Sequence, residues 1–580
     1  MSTVAAIERL VPGVHMLRTY RPAWLGKDVT AGLVLTALLV PQGMAYAELA
    51  GLPPITGLYT TVLCLLGYAA FGPSKVLVLG PDSSLGPMIA AVVIPLVTAN
   101  GDPGRAVAYA SILALMVGAI TIAAGVFRLG FIADLLSKPT QIGYMNGLAL
   151  TIVIGQLPKL FGFSVDGDGL IDEATLFVRG VLDGRTVPAA LAIGAGSLAV
   201  ILLLKRFVPR IPGVLVATVL AIAAVALFGL ADRGVKLVGV LPEGFPPFTI
   251  PTVPLGDLGL LFAGALGIAL VSLTDTISTA SAFAGRRGED VDGNREMIGI
   301  GAANVAAGFF QGFPVSTSGS RTAVAEQNGA RSQVTGLVGA GAVTLMLVFF
   351  PGLLRNLPQP TLAAIVIAAS VSLADLPGLR RLWQQRRSDF ALAMAAFLGV
   401  ALLGVLPGIA IAVAFSVLNV FSRVWRPDRA QLGKVAGLKG YHDTDSYPGA
   451  ALLPGLVLYR FSGPLIFANA NTFRDDLRRI AEASPRPRWI VVTAEPITDV
   501  DTTAADMLAE LDEWLNARGV DMVFAEVKDP VKAKIDRYEL TSRIEQKHFF
   551  PTIGSAVDAY REQTGTDWPT AGDPAGPPVM

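Results

Sequence analysis

Long stretches of apolar residues without a single charge recur along the first three-quarters of the chain. A helix needs roughly 20 such residues to cross a hydrocarbon core of about 30 Å. Together with shorter apolar runs near 55–71, 141–160, 211–230, 258–283 and 322–325, the pattern predicts about fourteen membrane segments. The long uncharged stretches are 29–47, 83–101, 106–127, 186–204, 297–320, 332–354, 356–374 and 390–422, the last divided by Pro407-Gly408.

Basic residues recur in the short loops after every second segment, as at Lys75, Arg128, Lys205-Arg206, Arg286-Arg287 and Arg423, whereas the loop 161–185 is acidic. Because Lys and Arg concentrate in cytoplasmic loops, this alternation predicts that both termini are cytoplasmic and that the protein lies in the cell's inner membrane. Residues 1–28 are polar and have no signal-peptide pattern, so we expect a cytoplasmic N-terminal segment. The transmembrane domain is predicted at 29–429.

The sequence changes character after residue 429. Short β-like runs at 455–461, 464–467, 488–494 and 521–527 alternate with helical patterns at 471–483 and 502–517. Strands that alternate with helices of this length predict a small α/β domain, which we place at 441–562 and in the cytoplasm. The Pro- and Gly-rich tail 563–580 is predicted to be disordered.

Composition narrows the classes of function. Hydrophobic residues make up 52% of the chain and charged residues 16%, against about 25% charge in a soluble domain. Lys+Arg and Asp+Glu both number 45, so no basic excess indicates a nucleic-acid partner. Cys64 is alone, and His15, His442 and His548 lie outside the apolar runs, which argues against a disulfide scaffold or an embedded histidine site. No nucleophile–base pair, nucleotide-binding glycine loop or metal cluster is visible, so we expect neither an enzyme nor a cofactor.

Polar groups inside the apolar runs are the main functional signal. Gln42 and Tyr46 lie in the first run, Asp275 lies in the eighth, and 80–87 and 312–322 are rich in Gly, Pro, Ser and Thr. Such backbone is tolerated at membrane depth only against protein or a wet cavity, so these two segments are predicted to be broken helices. Helices beginning at 82–84 and 319–321 would direct N–H groups and positive dipole ends into the membrane. With Arg321 they would form an anion site.

The spacing of these features indicates a duplication. Gln42 precedes Asp82 by 40 residues and Asp275 precedes Gly319 by 44. Each half thus has a helix with a polar residue, followed at a similar interval by a broken helix. Seven segments per half would invert the second half relative to the first, as in secondary transporters with a site near the midplane.

Three motifs carry a family resemblance: PQGMAYA with LAGLPP and GLY in 41–59, the run GQLPKLFG at 155–162, and SGSRTAV at 318–324. They resemble the SulP family of anion transporters, and the C-terminal domain resembles the STAS domain that accompanies them. The resemblance implies two inverted seven-segment repeats, divided into a core domain (segments 1–4 and 8–11) and a gate domain (5–7 and 12–14). We also expect a homodimer.

The resemblance further implies that the anion binds between the broken helices of segments 3 and 10. Asp275 and Thr279 resemble the Asp-x-x-x-Thr pair that bicarbonate-transporting relatives use for Na⁺, whereas proton-coupled members usually have Glu at position 275. Asp82 departs from the pattern, since many relatives have an uncharged residue there. The implied substrate-binding residues are Gln42, Tyr46, Asp82, Ser83, Ser84, Ser320 and Arg321.

In bacterial STAS regulators, a Ser or Thr that follows an Asp at a helix start is phosphorylated. Thr502 and Thr503 occupy that place here, after Asp501. The alternative interpretation is an ordinary helix N-cap by Asp501 or Thr502.

The leading hypothesis is a secondary active transporter of a small oxyanion, sulfate, that works by alternating access and is coupled to H⁺. Na⁺–bicarbonate and H⁺–dicarboxylate transport remain open, because N–H-rich helix ends suit all these anions. An uncoupled anion channel, a charge-moving membrane motor and a sensor acting through the STAS domain are hypotheses of different classes. Asp275 favours a coupled carrier over a channel, because an intramembrane carboxylate is costly to bury.

Overall fold

The computed structural model describes residues 11–100, 103–131, 136–165, 167, 169–209, 211–540, 544 and 546–568. The chain divides into two compact units, 1–416 and 417–580. Most of the tail predicted to be disordered lies outside the described residues. Its first residues are ordered, because the last helix extends to Thr564 and the ring of Trp568 stacks on that of Tyr441 with 6.1 Å between the centroids.

The first unit is helical. Its longer helices match the predicted apolar runs, and two short amphipathic helices, α7 and α15, interrupt the series. The helices are α1 (Pro12–Arg18), α2 (Leu25–Leu49), α3 (Pro54–Phe71), α4 (Gly86–Asn100), α5 (Ala106–Val126), α6 (Lys138–Leu160), α7 (Leu170–Leu182), α8 (Pro188–Phe207), α9 (Gly213–Phe228), α10 (Leu258–Gly285), α11 (Gly293–Gly308), α12 (Gly319–Gln327), α13 (Val334–Phe349), α14 (Gln359–Leu373), α15 (Leu376–Gln385), α16 (Arg387–Leu403) and α17 (Val405–Trp425).

Among the described residues, seven helical stretches are long and apolar enough to cross a membrane: Pro22–Leu49, Pro54–Phe71, Ala106–Val126, Pro188–Phe207, Leu255–Gly285, Gln359–Gln385 and Val405–Trp425. Gly86–Thr98, Gly213–Phe228 and Val334–Phe349 are apolar but shorter. The protein is therefore a polytopic helical membrane protein, as predicted. The count of fourteen segments and the inverted repeat stay predictions.

Glycines let these helices approach closely. A Cβ added to Gly57 of α3 would lie 1.8 Å from the carbonyl oxygen of Gly43 in α2, and one added to Gly143 of α6 would lie 2.0 Å from the carbonyl oxygen of Ala393 in α16. Only the absence of a side chain allows these backbone contacts, which are typical of membrane helix interfaces. Gly57 and Gly143 thus serve helix packing at these crossings.

Two helices begin in the middle of the unit, each after a short strand. Strand β1 (Leu79–Gly80) pairs antiparallel with β2 (Ser316–Thr317), α4 follows β1, and α12 follows β2. The start of α12 at Gly319 is where the sequence predicted it. The start of α4 at Gly86 is later than the predicted 82–84, because Asp82 Oδ1 accepts the backbone N–H of Ser84 and holds these residues in a turn.

The second unit contains a six-stranded sheet of order β4-β3-β5-β6-β7-β8, in which β5 to β8 are parallel and β3 is antiparallel to β4 and β5. The strands are β3 (Asp428–Gly433), β4 (His442–Asp443), β5 (Leu456–Ser462), β6 (Trp489–Thr493), β7 (Asp521–Ala525) and β8 (Phe549–Phe550), and the helices are α18 (Ala470–Ala481), α19 (Thr502–Asn516), α20 (Asp529–Arg537) and α21 (Ile553–Thr564).

Helices cover both faces of this sheet. Side chains of β5 alternate, so Tyr459 and Phe461 pack in a core with α18 and α19 while Leu458 packs with α21. Two boundaries differ from the sequence prediction. The sheet begins at β3, ahead of residue 441, and the predicted strand 464–467 is only an isolated bridge from Leu465 to Val500.

Candidate functional site

The helical unit contains a partly open cavity of about 900 Å³. Helices α2, α6, α8, α9, α10, α12 and α14 contribute to its lining, together with the turn after β1. Apolar walls with a few convergent polar groups are typical of a binding site for a small molecule. Seven of the nine residues predicted for the anion and cation sites line it: Gln42, Tyr46, Asp82, Ser83, Asp275, Thr279 and Ser320.

The β1–β2 pair joins the two segments that precede the broken helices. Next to it, the backbone N–H of Ser318 donates to the carbonyl of Val78 at 3.0 Å, and the backbone N–H of Val78 donates to Oγ1 of Thr322 at 3.1 Å. The start of α12 is therefore tied directly to the chain that leads into α4. The sequence predicted that these two segments meet, and the strand pair is how they do so.

Polar side chains from neighbouring helices satisfy the irregular backbone before β2. The N–H of Val315 donates to Oδ1 of Asn304 at 2.9 Å, and the carbonyl of Val315 accepts from Oγ of Ser272 at 2.9 Å. The N–H of Phe313 donates to Oγ1 of Thr60 at 3.1 Å. Non-helical backbone inside a membrane unit requires such internal partners.

Ser84 connects the two carboxylates of the site. Its Oγ lies 2.9 Å from Oδ1 of Asp82 and 3.2 Å from Oδ2 of Asp275, and it does not line the cavity. A serine hydroxyl has one proton to donate, so it cannot donate to both oxygens. With both carboxylates ionised, one of the two contacts would lack a proton between its oxygens. Both contacts are hydrogen bonds if one carboxyl group is protonated.

Arg321 is also absent from the cavity lining, although the sequence predicted it as one of the anion-binding residues. Its side chain is 1% exposed, Nη2 donates to the carbonyl of Pro81 at 2.5 Å, and Nη2 lies 3.9 Å from Oδ2 of Asp82. Nε and Nη1 have no hydrogen-bond partner in the described part of the chain. A Cβ on Gly80 would lie 2.4 Å from Nη1, so a glycine in β1 makes room for the guanidinium.

The first turn of α12 faces the cavity. Ser318 is the N-cap, its Oγ accepts from the backbone N–H of Arg321, and it lies 3.1 Å from Oγ of Ser320. Ser318, Gly319 and Ser320 all line the cavity. The first N–H groups of a helix have no helical acceptor and carry partial positive charge, so this end of α12 suits an anion.

The sequence did not predict several of the polar residues that line the cavity, among them Gln141 at the start of α6, Ser278 on α10 and Lys205 near the end of α8. Ser278 directly precedes the predicted Thr279, so helical spacing alone could have suggested it. Lys205 was counted only among the basic residues that set the orientation. Nothing in the sequence brings α6 and α8 to the same cavity as α2 and α10.

In the second unit, Thr502 and Thr503 are exposed at the start of α19. The N-cap is Asp501, whose Oδ1 accepts from the backbone N–H of Ala504 at 2.8 Å and whose Oδ2 accepts from that of Phe467 at 2.7 Å. The cap thus belongs to Asp501 and leaves both threonine hydroxyls accessible. Phosphorylation of either threonine stays a prediction.

These features define a class: a polytopic membrane protein whose polar cavity lies beside a broken helix, with an additional α/β domain. Residues 25–396 match the sulfate permease family and residues 447–556 match the STAS domain. The chain therefore belongs to the sulfate permease family, a family of anion transporters, and carries a STAS domain.

Curated relatives agree with this assignment. The chain is 42% identical to the "probable sulfate transporter Rv1739c" of Mycobacterium tuberculosis, over 95% of this chain and 98% of the relative. It is 31% identical to sulfate transporter 2.2 of Arabidopsis thaliana, over 94% and 84% of the two chains.

Two solved structures share the fold. The murine Slc26a9 anion transporter has a TM-score of 0.89 at 24% identity, covering 97% of this chain and 95% of that one. The transmembrane domain of the cyanobacterial bicarbonate transporter BicA has a TM-score of 0.59 at 23% identity, covering 69% and 98%. At these identities the likeness shows the fold alone.

Proposed function

We propose that this anion transporter is a secondary active carrier of sulfate, coupled to H⁺ and working by alternating access. The observation that carries the proposal is the hydroxyl of Ser84, which lies between Asp82 at the anion cavity and Asp275 on α10. The names of the curated relatives support sulfate as the substrate.

In the proposed anion site, the first turn of α12 provides N–H groups and the hydroxyl of Ser320. Gln42 and Tyr46 approach the same cavity from α2, and Ser83 approaches from the turn after β1. These neutral donors suit an oxyanion, because each oxygen can accept several hydrogen bonds. Arg321 acts on the site from outside the cavity, since its charge lies next to Asp82.

Coupling to H⁺ follows from the shared hydroxyl. Two carboxylates joined by one serine require one proton to satisfy both contacts. A proton bound there removes one negative charge beside the anion, and its release restores that charge and repels the anion. Binding of the proton and binding of the anion therefore favour each other, which is the thermodynamic requirement of symport.

Na⁺-coupled bicarbonate transport is the second candidate, and a specific observation favours it. Asp275 and Thr279 lie one turn apart on α10, and both line the cavity. A carboxylate and a hydroxyl are oxygen ligands of the type that hard cations prefer. H⁺–dicarboxylate symport and an uncoupled channel are the two further candidates that the experiment below separates from sulfate symport.

The deciding experiment is uptake of labelled sulfate, bicarbonate and succinate into proteoliposomes, each with an H⁺ gradient, with a Na⁺ gradient and with neither. We expect accumulation of sulfate against its gradient only when the H⁺ gradient is present. Accumulation that follows Na⁺ would instead support the second candidate, H⁺-driven accumulation of succinate alone would indicate a dicarboxylate carrier, and equilibration without accumulation under every condition would indicate a channel. Protein-free liposomes provide the background.

The arrangement in the cell is proposed from the charge pattern of the loops: an inner-membrane protein with both termini and the STAS domain in the cytoplasm. A homodimer is proposed from the family resemblance.

A further inference from the structure

One end of the cavity is lined by exposed residues. They lie at the end of α8, in the loop between α8 and α9, and at the ends of α12 and α14. We refer to this end as the mouth, defined by Lys205, Pro209, Gln327, Asn328 and Ser372. The buried part of the lining includes Tyr46 and Ser83. An anion that enters by the mouth meets the side chains of the mouth before it reaches the proposed binding residues.

The charges of the lining are unequal. Of the described residues that line the cavity, Lys205 is the one with a basic side chain, whereas Asp82 and Asp275 are acidic. Arg321, whose guanidinium lies near Asp82, is buried outside the lining. Among the residues that the structure describes, Lys205 is therefore the positively charged side chain that an anion in the cavity can contact directly.

The position of Lys205 is fixed by a hydrogen bond between helices. Its Nζ donates to Oγ of Ser372 on α14 at 2.6 Å. The hydroxyls of Ser197 on α8 and Thr361 on α14 lie 3.0 Å apart and join the same two helices. The ammonium group is thus held at the mouth by the α8–α14 pair, while the proposed binding residues belong to α2, α10 and α12.

We propose that Lys205 is the docking residue of the anion pathway: it attracts the oxyanion to the mouth and contributes to its apparent affinity without taking part in the deeper site. The inference rests on the proposed function insofar as the ligand is a transported anion. A cationic group in a cleft raises the local concentration of anions and the rate of their association, and this effect weakens with salt.

The test compares Lys205→Gln, Lys205→Arg and, as a matched control, Arg206→Gln, whose residue is adjacent and exposed but does not line the cavity. Initial uptake of sulfate, bicarbonate and succinate is measured at low and high ionic strength. Direct binding is measured by calorimetry on the purified proteins. We expect Lys205→Gln to raise the half-saturation constant about three- to tenfold at low ionic strength with an unchanged maximal rate. The difference should shrink at high ionic strength.

Lys205→Arg should stay close to the wild type, and so should Arg206→Gln. The inference is overturned if Lys205→Gln leaves the half-saturation constant unchanged, or if Arg206→Gln raises it equally. A Lys205 effect seen only with an anion other than sulfate would support the docking role while contradicting sulfate as the substrate. A wild-type protein that binds none of the three anions would refute both proposals.

Discussion

The hydroxyl of Ser84 lies within hydrogen-bond distance of both acidic groups of the site. Ser84 is buried and touches two carboxylates from different parts of the chain. An alanine at this position would remove the bridge but leave both acidic groups in place. The role of the Ser84 bridge can therefore be tested separately from the roles of Asp82 and Asp275.

For Asp275, we expect Asp275→Asn to bind anion but to lose dependence on the cation gradient, because an amide has a similar shape and cannot gain or lose the charge. Gradient-driven uptake and anion binding are measured on the same preparation. Asp290→Asn, which changes an exposed carboxylate after α10, is the matched control. Gradient-driven uptake by Asp275→Asn at the wild-type level would show that Asp275 is only structural.

For Arg321, we expect both Arg321→Lys and Gly80→Ala to weaken anion binding by roughly tenfold, a loss of about 1.4 kcal/mol. A Lys ammonium cannot reproduce the planar guanidinium that donates to Pro81. The new methyl group at position 80 would lie 2.4 Å from Nη1 and displace the same group without changing any charge.

Calorimetry on monodisperse protein gives these two affinities. Gly196→Ala on α8, where a Cβ would meet nothing within 4 Å, is the control for a glycine substitution. Wild-type affinity in a folded Gly80→Ala protein would show that the position of the Arg321 guanidinium does not affect anion binding.

At the scale of elements, the close approach of α2 and α3 is set by two glycines. Gly57→Ala would place a methyl group within 1.8 Å of the carbonyl oxygen of Gly43, so the helices must separate. We expect a loss of about 1–3 kcal/mol, as for other overpacked sites, seen as a lower melting temperature in detergent. A Gly57→Ala protein that melts together with Gly196→Ala would contradict this explanation of the helix crossing.

The sequence predicted the broken helices because their composition does not permit a continuous membrane helix. The predicted start of α4 was too early. The backbone N–H of Ser84 donates a hydrogen bond to the side chain of Asp82, which competes locally with helix formation, and composition does not reveal this bond. It missed Gln141 and Lys205, because their function depends on which helices meet at the cavity. Helix contacts made through backbone and small residues leave little trace in a single sequence.

For the whole molecule, the orientation in the membrane is open to a direct test. In a Cys64→Ala background, Asp183→Cys should react with an impermeant thiol reagent added outside the cell, and Asp290→Cys should react only after permeabilisation. Both positions are exposed in the structure, so access depends on the side of the membrane. The reverse labelling pattern would contradict the topology inferred from the basic loops.

The β1–β2 strand pair, whose Thr317 lines the cavity, has a consequence for movement. Leu79 and Gly80 pair with Thr317 and Ser316. We therefore expect the chain entering α4 and the chain entering α12 to move together as one rigid unit, which we call the platform. If transport follows the proposed alternating access, we expect the anion to move together with this platform, and we expect movement where the platform contacts helices such as α8 and α14. A covalent cross-link within the platform should leave turnover intact, whereas one from α2 to α14 should arrest it.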